Sequence, residues 1–600
     1  MAGFVMKLRW IVVRVGVFRA PSARATPPLN LPPPAAMRIL ILVFVIFTLS
    51  SCARIAELKE IKPVYQVTPG VTATFPNHGE AFGNATKLEQ KHPLLAGELY
   101  LGSLQKLAAQ LDRKPNDPEL RRAYNYALYR VFSLIRAHNF DPWDAPLQVG
   151  RFSVTHKNVP RAGWHPSTFE FLPTDQVEVE GEYIKFKAIR DGLGASLVAI
   201  GRTPKKNARA TFSQERTYYG ISAVVSFKGD QCEVSFHDPL DEDTVKVGRH
   251  TYPLAADYTT PLAVLLTRER PEKLGLVRLL DPDKYAETAR LSRLRPYDDQ
   301  RIPLLLVHGL LDTPATWIPM INALRADPVI RKKYQIWAYS YPSGYPYPYS
   351  AALLRKELDR LDEVFPNHKP IVYIGHSMGG MIGRLMLTDS GEKIWNAYFH
   401  KAPEKVRMPS REKKLMKDML IFESRPDISR AIFICSPHRG AKLAGNWVGK
   451  LGRRFVRVPG NLLALGDAMT QVATFSQGGL AYESLPTSID TLTETNTFVR
   501  TVDKLPLNPL TPFHSICGDR GRPNATADPH FTSDGFVAYT SSHLEGAQSE
   551  LIIDSDHSGH QNPAGIAEVI RILHLHLKSG KPQASQSQPA AQRVVQPPVR

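Results

Sequence analysis

Cysteine is scarce in this chain, with four among 600 residues, too few to staple a disulfide scaffold. Basic residues outnumber acidic ones, 75 to 57, but no basic stripe interleaved with aromatics accompanies the excess, which argues against a nucleic-acid partner. No cluster of His, Cys and acidic residues has metal-ligand spacing, and no internal repeat is evident. Long apolar runs are missing as well. The run Ile39 to Leu49, broken only by Thr48, is about 11 residues long, too short to span a bilayer as a mature helix. What remains is a chain of ordinary globular composition, 43% apolar and 22% charged, long enough for two domains and tails.

The net charge of +18 is partly a terminal effect. Residues 1–36 hold Lys7, Arg9, Arg14, Arg19 and Arg24 and no acid, and Arg38 follows, so a chain starting at Cys52 carries +12. That charge suits an anionic envelope surface, but a solvated basic surface is the preferred reading. Met37-Arg38, the short apolar core and Ser50-Ser51-Cys52-Ala53 have the order of a secretory signal. Leu49-Ser50-Ser51-Cys52 resembles a bacterial lipobox. The resemblance implies that Cys52 is lipidated and becomes the N-terminus, and Ala53 in place of Asp fits sorting to the outer membrane. The expected location is the bacterial cell envelope, as an outer-membrane lipoprotein facing the periplasm or the surface. An ordinary signal peptide with an incidental cysteine is the alternative.

Along the chain, residues 1–52 read as leader and signal segment, and 53–90 as a linker. Residues 91–295 read as an accessory domain, helical and then β-rich. Leu101, Leu104, Leu107 and Leu111 keep helical spacing, and Asp117 is the expected N-cap of a second helix from Pro118. From about 150, short β-rich runs such as Ile221–Phe227 and Cys232–Phe236 alternate with turn residues, predicting a small antiparallel unit. From 296 to 578 strands alternate with helices, which predicts an α/β domain with a mainly parallel sheet. Gly391–Ser429 and Ala441 to about Asn508 break the alternation and are candidate cap insertions. The Gln-, Pro- and Ser-rich stretch 579–600 is expected to be disordered. Cys435 and Cys517 sit in apolar strand-like runs as expected buried thiols, while Cys232 lies in a polar strand.

The chemistry centres on Val372 to Ile382. A β-branched run enters Gly375-His376-Ser377-Met378-Gly379, and a helix-forming run leaves it. Strand, Gly-x-Ser-x-Gly turn and helix make a nucleophile elbow, in which glycine is needed two residues either side of the serine. Serine needs a histidine base, itself oriented by a carboxylate. Downstream of Ser377 the residues alone leave two acids, Asp519 and Asp534, and three histidines, His543, His557 and His560.

Residues 301–577 resemble the α/β-hydrolase superfamily, and within it bacterial lipases and esterases. Four motifs carry the resemblance: Val307-His308-Gly309-Leu310, the Gly375–Gly379 elbow, Ser533-Asp534-Gly535-Phe536-Val537, and His557-Ser558-Gly559 ahead of a closing amphipathic helix. The resemblance implies an α/β-hydrolase fold and a catalytic triad of Ser377, Asp534 and His557. Backbone N–H groups of Leu310 and Met378 would form the oxyanion hole. Asp519, at the end of a strand, stays the rival acid, and His560 the rival base. His376 and His308 are expected to brace their loops, and Ser436–Gly440 to lie near the site. The implied activity is carboxylic-ester hydrolysis, with a lipid or other ester as substrate and no cofactor or metal. The alternatives are an acyltransferase with the same triad and a non-catalytic envelope binding protein. A membrane is the expected partner, through the anchor.

Overall fold

Two sheets, one mostly antiparallel and one mostly parallel, organise the chain in a computed structural model that describes residues 55–66, 78–161, 163–441, 488–520, 532–579 and 594–595. The expected signal segment, Cys52, most of the tail, and residues 442–487 of the second insertion lie outside the described residues.

The first sheet follows three helices, α1 (His78–Leu88), α2 (Pro93–Leu111) and α3 (Pro118–His138). The Asp117 side chain accepts from the Glu119 and Leu120 N–H groups at 3.0 and 3.1 Å, and Pro118 occupies the first turn, where no N–H is needed. The helix stops at Asn139, whose φ of 52° is left-handed. Six strands follow: β1 (Leu147–Val149), β2 (Phe152–Asn158), β3 (Phe169–Pro173), β4 (Ala195–Gly201), β5 (Tyr218–Lys228) and β6 (Gln231–His237). Their order across the sheet is β1-β2-β6-β5-β4-β3. Every pair is antiparallel except β2 with β6. This corrects the wholly antiparallel expectation: the long connection between β2 and β6 permits a crossover that a tight hairpin cannot make. Leu101, Leu104 and Leu107 of α2 and Phe132 of α3 share one core with Phe171, Leu197, Val225 and Phe236 of this sheet.

The second sheet holds β7 (Arg290–Arg293), β8 (Ile302–Val307), β9 (Tyr334–Ser340), β10 (Ile371–His376), β11 (Ile428–Ile434), β12 (Phe513–Asp519), β13 (Ser549–Asp554) and β14 (Val594–Val595). The order is β7-β9-β8-β10-β11-β12-β13-β14, with β7 antiparallel and all other pairs parallel. The sheet therefore begins before residue 296. Of Arg290-Leu291-Ser292-Arg293 only Leu291 is buried, which leaves little apolar pattern to read as a strand.

Alternation along the strands sends side chains to opposite faces. Leu305, Val307, Ile371 and Tyr373 join a core with α7 (Tyr347–Val364) and α8 (Met378–Met386). Met416, Met419 and Leu420 of the Gly391–Ser429 stretch belong to the same core. Leu304, Leu306, Val372 and Ile374 pack on the other face with α6 (Ile318–Ala326) and α9 (Pro563–Ser579). That second core also takes in Leu172 and Val198 of the first sheet and Leu262 and Leu266 of α4 (Thr260–Glu269), so the two sheets share apolar packing. An ionic lattice adds to the join. Asp241 accepts from Arg295 at 3.0 Å and from Arg301, and Asp243 from Arg331 at 2.5 Å and from Lys332.

Candidate active site

All six residues of β10 are buried, and the chain then turns at Ser377 with φ 53° and ψ −123°. A non-glycine residue with this positive φ is strained, and it persists because its neighbours leave no other path. A Cβ on Gly375 would stand 2.5 Å from the Gly379 carbonyl oxygen, and one on Gly379 would stand 2.2 Å from that of Val307. Gly375 is therefore set by contact within the elbow, against the first turn of the helix that follows, and Gly379 by contact with the neighbouring strand β8. Helix α8 starts directly after Ser377, so the Met378 N–H belongs to a first turn without intrahelical acceptors.

Ser377 Oγ lies 2.8 Å from His557 Nε2. His557 Nδ1 donates to Asp534 Oδ2 over 2.7 Å, which assigns the proton to Nδ1 and leaves Nε2 to accept from the serine. Asp534 Oδ1 in turn accepts from the Phe536 and Val537 N–H groups at 2.8 and 2.7 Å. Burial alone would raise the Asp534 pKa. The hydrogen bond and charge of His557, with the two N–H groups, outweigh it and hold the carboxyl below its usual range. Cys435 lies beside this pair, but burial and then the Asp534 charge push its thiol well above its ordinary value. It stands there as a neutral, buried side chain.

The loop after β8 runs against the serine. A Cβ on Gly309 would meet Ser377 Cβ at 3.0 Å and His376 Nδ1 at 3.1 Å. Leu310 follows, half-buried, and the Leu311 N–H donates to Ser343 Oγ at 3.1 Å. Leu310 and Met378 thus flank the elbow from two directions. His308 stacks on Tyr341 with ring centroids 4.3 Å apart, and its carbonyl accepts from the Tyr341 hydroxyl at 2.7 Å. Burial drives its pKa down to about 4, so it braces the loop as a neutral ring.

The rivals take other positions. Asp519 ends β12, and it is Asp534 whose carboxylate meets His557. The neighbouring Gly518 explains how: its missing Cβ would stand 2.7 Å from Asp534 Cβ, so the loop brings Asp534 back to the strand end. His560 is buried against Trp317 and stacks on His376 at 3.8 Å between centroids. Burial holds it well below the ordinary histidine pKa. His376, His560 and Asp312 place ligand-type atoms within 4.8 Å of one another. The two rings, however, are only 30° from parallel, so their in-plane lone pairs run side by side and do not converge on one ion.

Two contributors had weak sequence signals. Asp312, the only acid between β8 and α6, faces His376 with Oδ2 3.3 Å from Nδ1. Helix α5 (Leu274–Leu280), from the stretch assigned to the accessory domain, packs on the oxyanion-type loop. A Cβ on its Gly275 would lie 2.4 Å from the Leu311 carbonyl, and Leu279 clusters with Ile489, Leu310 and Leu311.

Residues 304–569 match the sequence profile of the Alpha/beta hydrolase family. This part of the chain has the α/β-hydrolase fold. Solved structures similar to this chain include lipase BlEst2 of Bacillus licheniformis in mature form, 16% identical over 48% of this chain and 98% of that one, with a TM-score of 0.29. Another is a lipase-esterase related protein from Clostridium acetobutylicum, 14% identical over 47% and 99%, TM-score 0.25. A third is a metagenomic carboxyl esterase, 16% identical over 51% and 91%, TM-score 0.25. No curated protein matches the chain. In this α/β-hydrolase fold the serine, acid and histidine follow one another along the chain in the order the fold requires.

Proposed function

We propose that this protein is a serine hydrolase that cleaves carboxylic esters through Ser377, His557 and Asp534. The observation that carries the reading is the continuous hydrogen-bonded path from Ser377 Oγ through His557 to Asp534, 2.8 and then 2.7 Å. His557 Nε2 takes the hydroxyl proton as Oγ bonds to the ester carbonyl carbon, and Asp534 stabilises the imidazolium that forms. The Leu310 and Met378 N–H groups receive the oxyanion. Removing one such donor costs about 3–4 kcal/mol of transition-state stabilisation. The tetrahedral intermediate collapses, the ester C–O bond breaks, and His557 passes its proton to the leaving alcohol. Water, deprotonated by His557, then attacks the acyl-enzyme and releases the acid and the free serine.

The surroundings favour an apolar ester. Phe536 is 53% exposed, with its ring centroid 5.3 Å from that of His557. The half-buried Leu310 and Leu311 pack against Leu279 and Ile489. Among the described residues no helix is long and apolar enough to cross a membrane. We assign membrane attachment to a lipid on Cys52, which would hold the enzyme at the bacterial envelope, within reach of lipid esters. Hydrolysis of p-nitrophenyl esters from two to sixteen carbons by the chain starting at Cys52 tests the substrate class. Turnover rising from short to medium or long acyl chains is expected; a folded protein that turns over none of them contradicts the reading.

A further inference from the structure

His376 is buried beside the nucleophile, and the mechanism above gives it no part. Its Nε2 donates to the main-chain carbonyl of His557 over 2.7 Å. Its Nδ1 lies 3.3 Å from Asp312 Oδ2, in contact though not aligned as a hydrogen bond. The His560 ring covers one face of the imidazole at 3.8 Å, and the Gly309 backbone passes so near Nδ1 that an added Cβ would stand 3.1 Å from it. The ring therefore has one available orientation.

We propose that Asp312 and His376 are positioning residues that hold His557, and with it the general base, at hydrogen-bonding distance from Ser377. This rests on the triad reading. His557 follows β13, which ends at Asp554, and precedes α9 at Pro563, so its ring is aimed by a short loop. A hydrogen bond to the His557 carbonyl acts on the backbone that does the aiming. The donor comes from the residue immediately before the nucleophile, which ties the base loop to the elbow. Asp312 stands two residues after Leu310 and brings the oxyanion loop into the same chain of contacts. Burial alone would raise its pKa; the imidazoles around it, His376 first, bring it down to about 2, so it meets His376 as a carboxylate. One line, Asp312 to His376 to the His557 carbonyl, thus joins the loop after β8, the elbow and the loop that carries the base. Geometric errors near 1 Å cost about 100-fold in rate, which is the scale on which such a tie matters.

Three variants test it, with ester turnover, fluorophosphonate inactivation rate and melting temperature measured on each. His376→Phe keeps the ring and removes the donor; kcat is expected to fall about 10- to 100-fold with KM within about twofold, and the inactivation rate to fall in parallel. His376→Gln places an amide N–H at the Nε2 position and should recover to within about fivefold of wild type, on the same positional reasoning. Asp312→Asn should fall between them. If His376→Phe does not fold, His376→Asn, whose shorter amide stops short of the carbonyl, replaces it with the same expectation. Wild-type kcat in the donor-less variant, or equal defects in the Gln and Phe variants at unchanged melting temperature, would overturn the proposal. Failure of the triad reading shows separately, as labelling that survives Ser377→Ala.

Discussion

His557 donates to Asp534 over 2.7 Å, although Asp519 is the acid that ends the strand and Asp534 arrives only after a loop. The relationship is secured by Gly518 and by the two N–H groups that hold the other carboxylate oxygen. Asp534→Asn keeps the shape but presents an amide to His557 Nδ1 and favours the wrong tautomer. Its kcat should fall by roughly 10⁴-fold, as in other serine triads, while Asp519→Asn stays within a few-fold of wild type. Ester turnover of the two variants side by side decides it, and the reverse ranking would count against Asp534.

The elbow glycines carry a stability prediction. A methyl group on Gly379 would sit 2.2 Å from the Val307 carbonyl oxygen, and neither strand nor helix can yield without breaking the parallel pairing. Gly379→Ala should lose roughly 3 kcal/mol or more in urea unfolding. Gly391 also has a positive φ of 48° but nothing within 4 Å of the added atom. Gly391→Ala should cost only about 1 kcal/mol, the backbone strain alone.

Buried histidines set an acid limit. His308 is neutral in the folded state, its pKa pushed down by burial to about 4, whereas in the unfolded chain it titrates near about 6.5. The unfolded state therefore takes up the proton first. The stabilisation is fully present above about pH 6.5 and is lost as pH falls through about 4, amounting to roughly 3 kcal/mol for this one group. Burial of His438 and His560 acts in the same direction. Unfolding free energy measured from pH 8 to pH 4 should decline steadily below 6.5, and His308→Gln should flatten the slope. Constant or rising stability over that interval would be inconsistent with neutral buried rings.

Local chemistry makes much of this site legible in the sequence. The elbow is a contiguous pentapeptide whose glycines are demanded by its own turn, and β8, β9 and β10 are buried on both faces, so their apolar runs stand out. The choice between Asp519 and Asp534 was harder, because it depends on how a loop folds back onto Gly518. Arg290–Arg293 has one buried apolar residue and reads as a strand only beside β9. Asp312, His376 and the His557 carbonyl meet across 245 residues of chain, and no spacing rule records such a meeting. Likewise, Leu274–Leu280 looks like any short amphipathic helix until Gly275 is seen against the Leu311 carbonyl.

Ser377 is the proposed nucleophile, and active-site labelling tests that role at the atom concerned. The chain starting at Cys52 is incubated with a fluorophosphonate, and intact mass and peptide mapping locate the adduct; Ser377→Ala is treated identically. One adduct is expected on Ser377 in the wild type and none in the variant. Equal labelling of both proteins would contradict it.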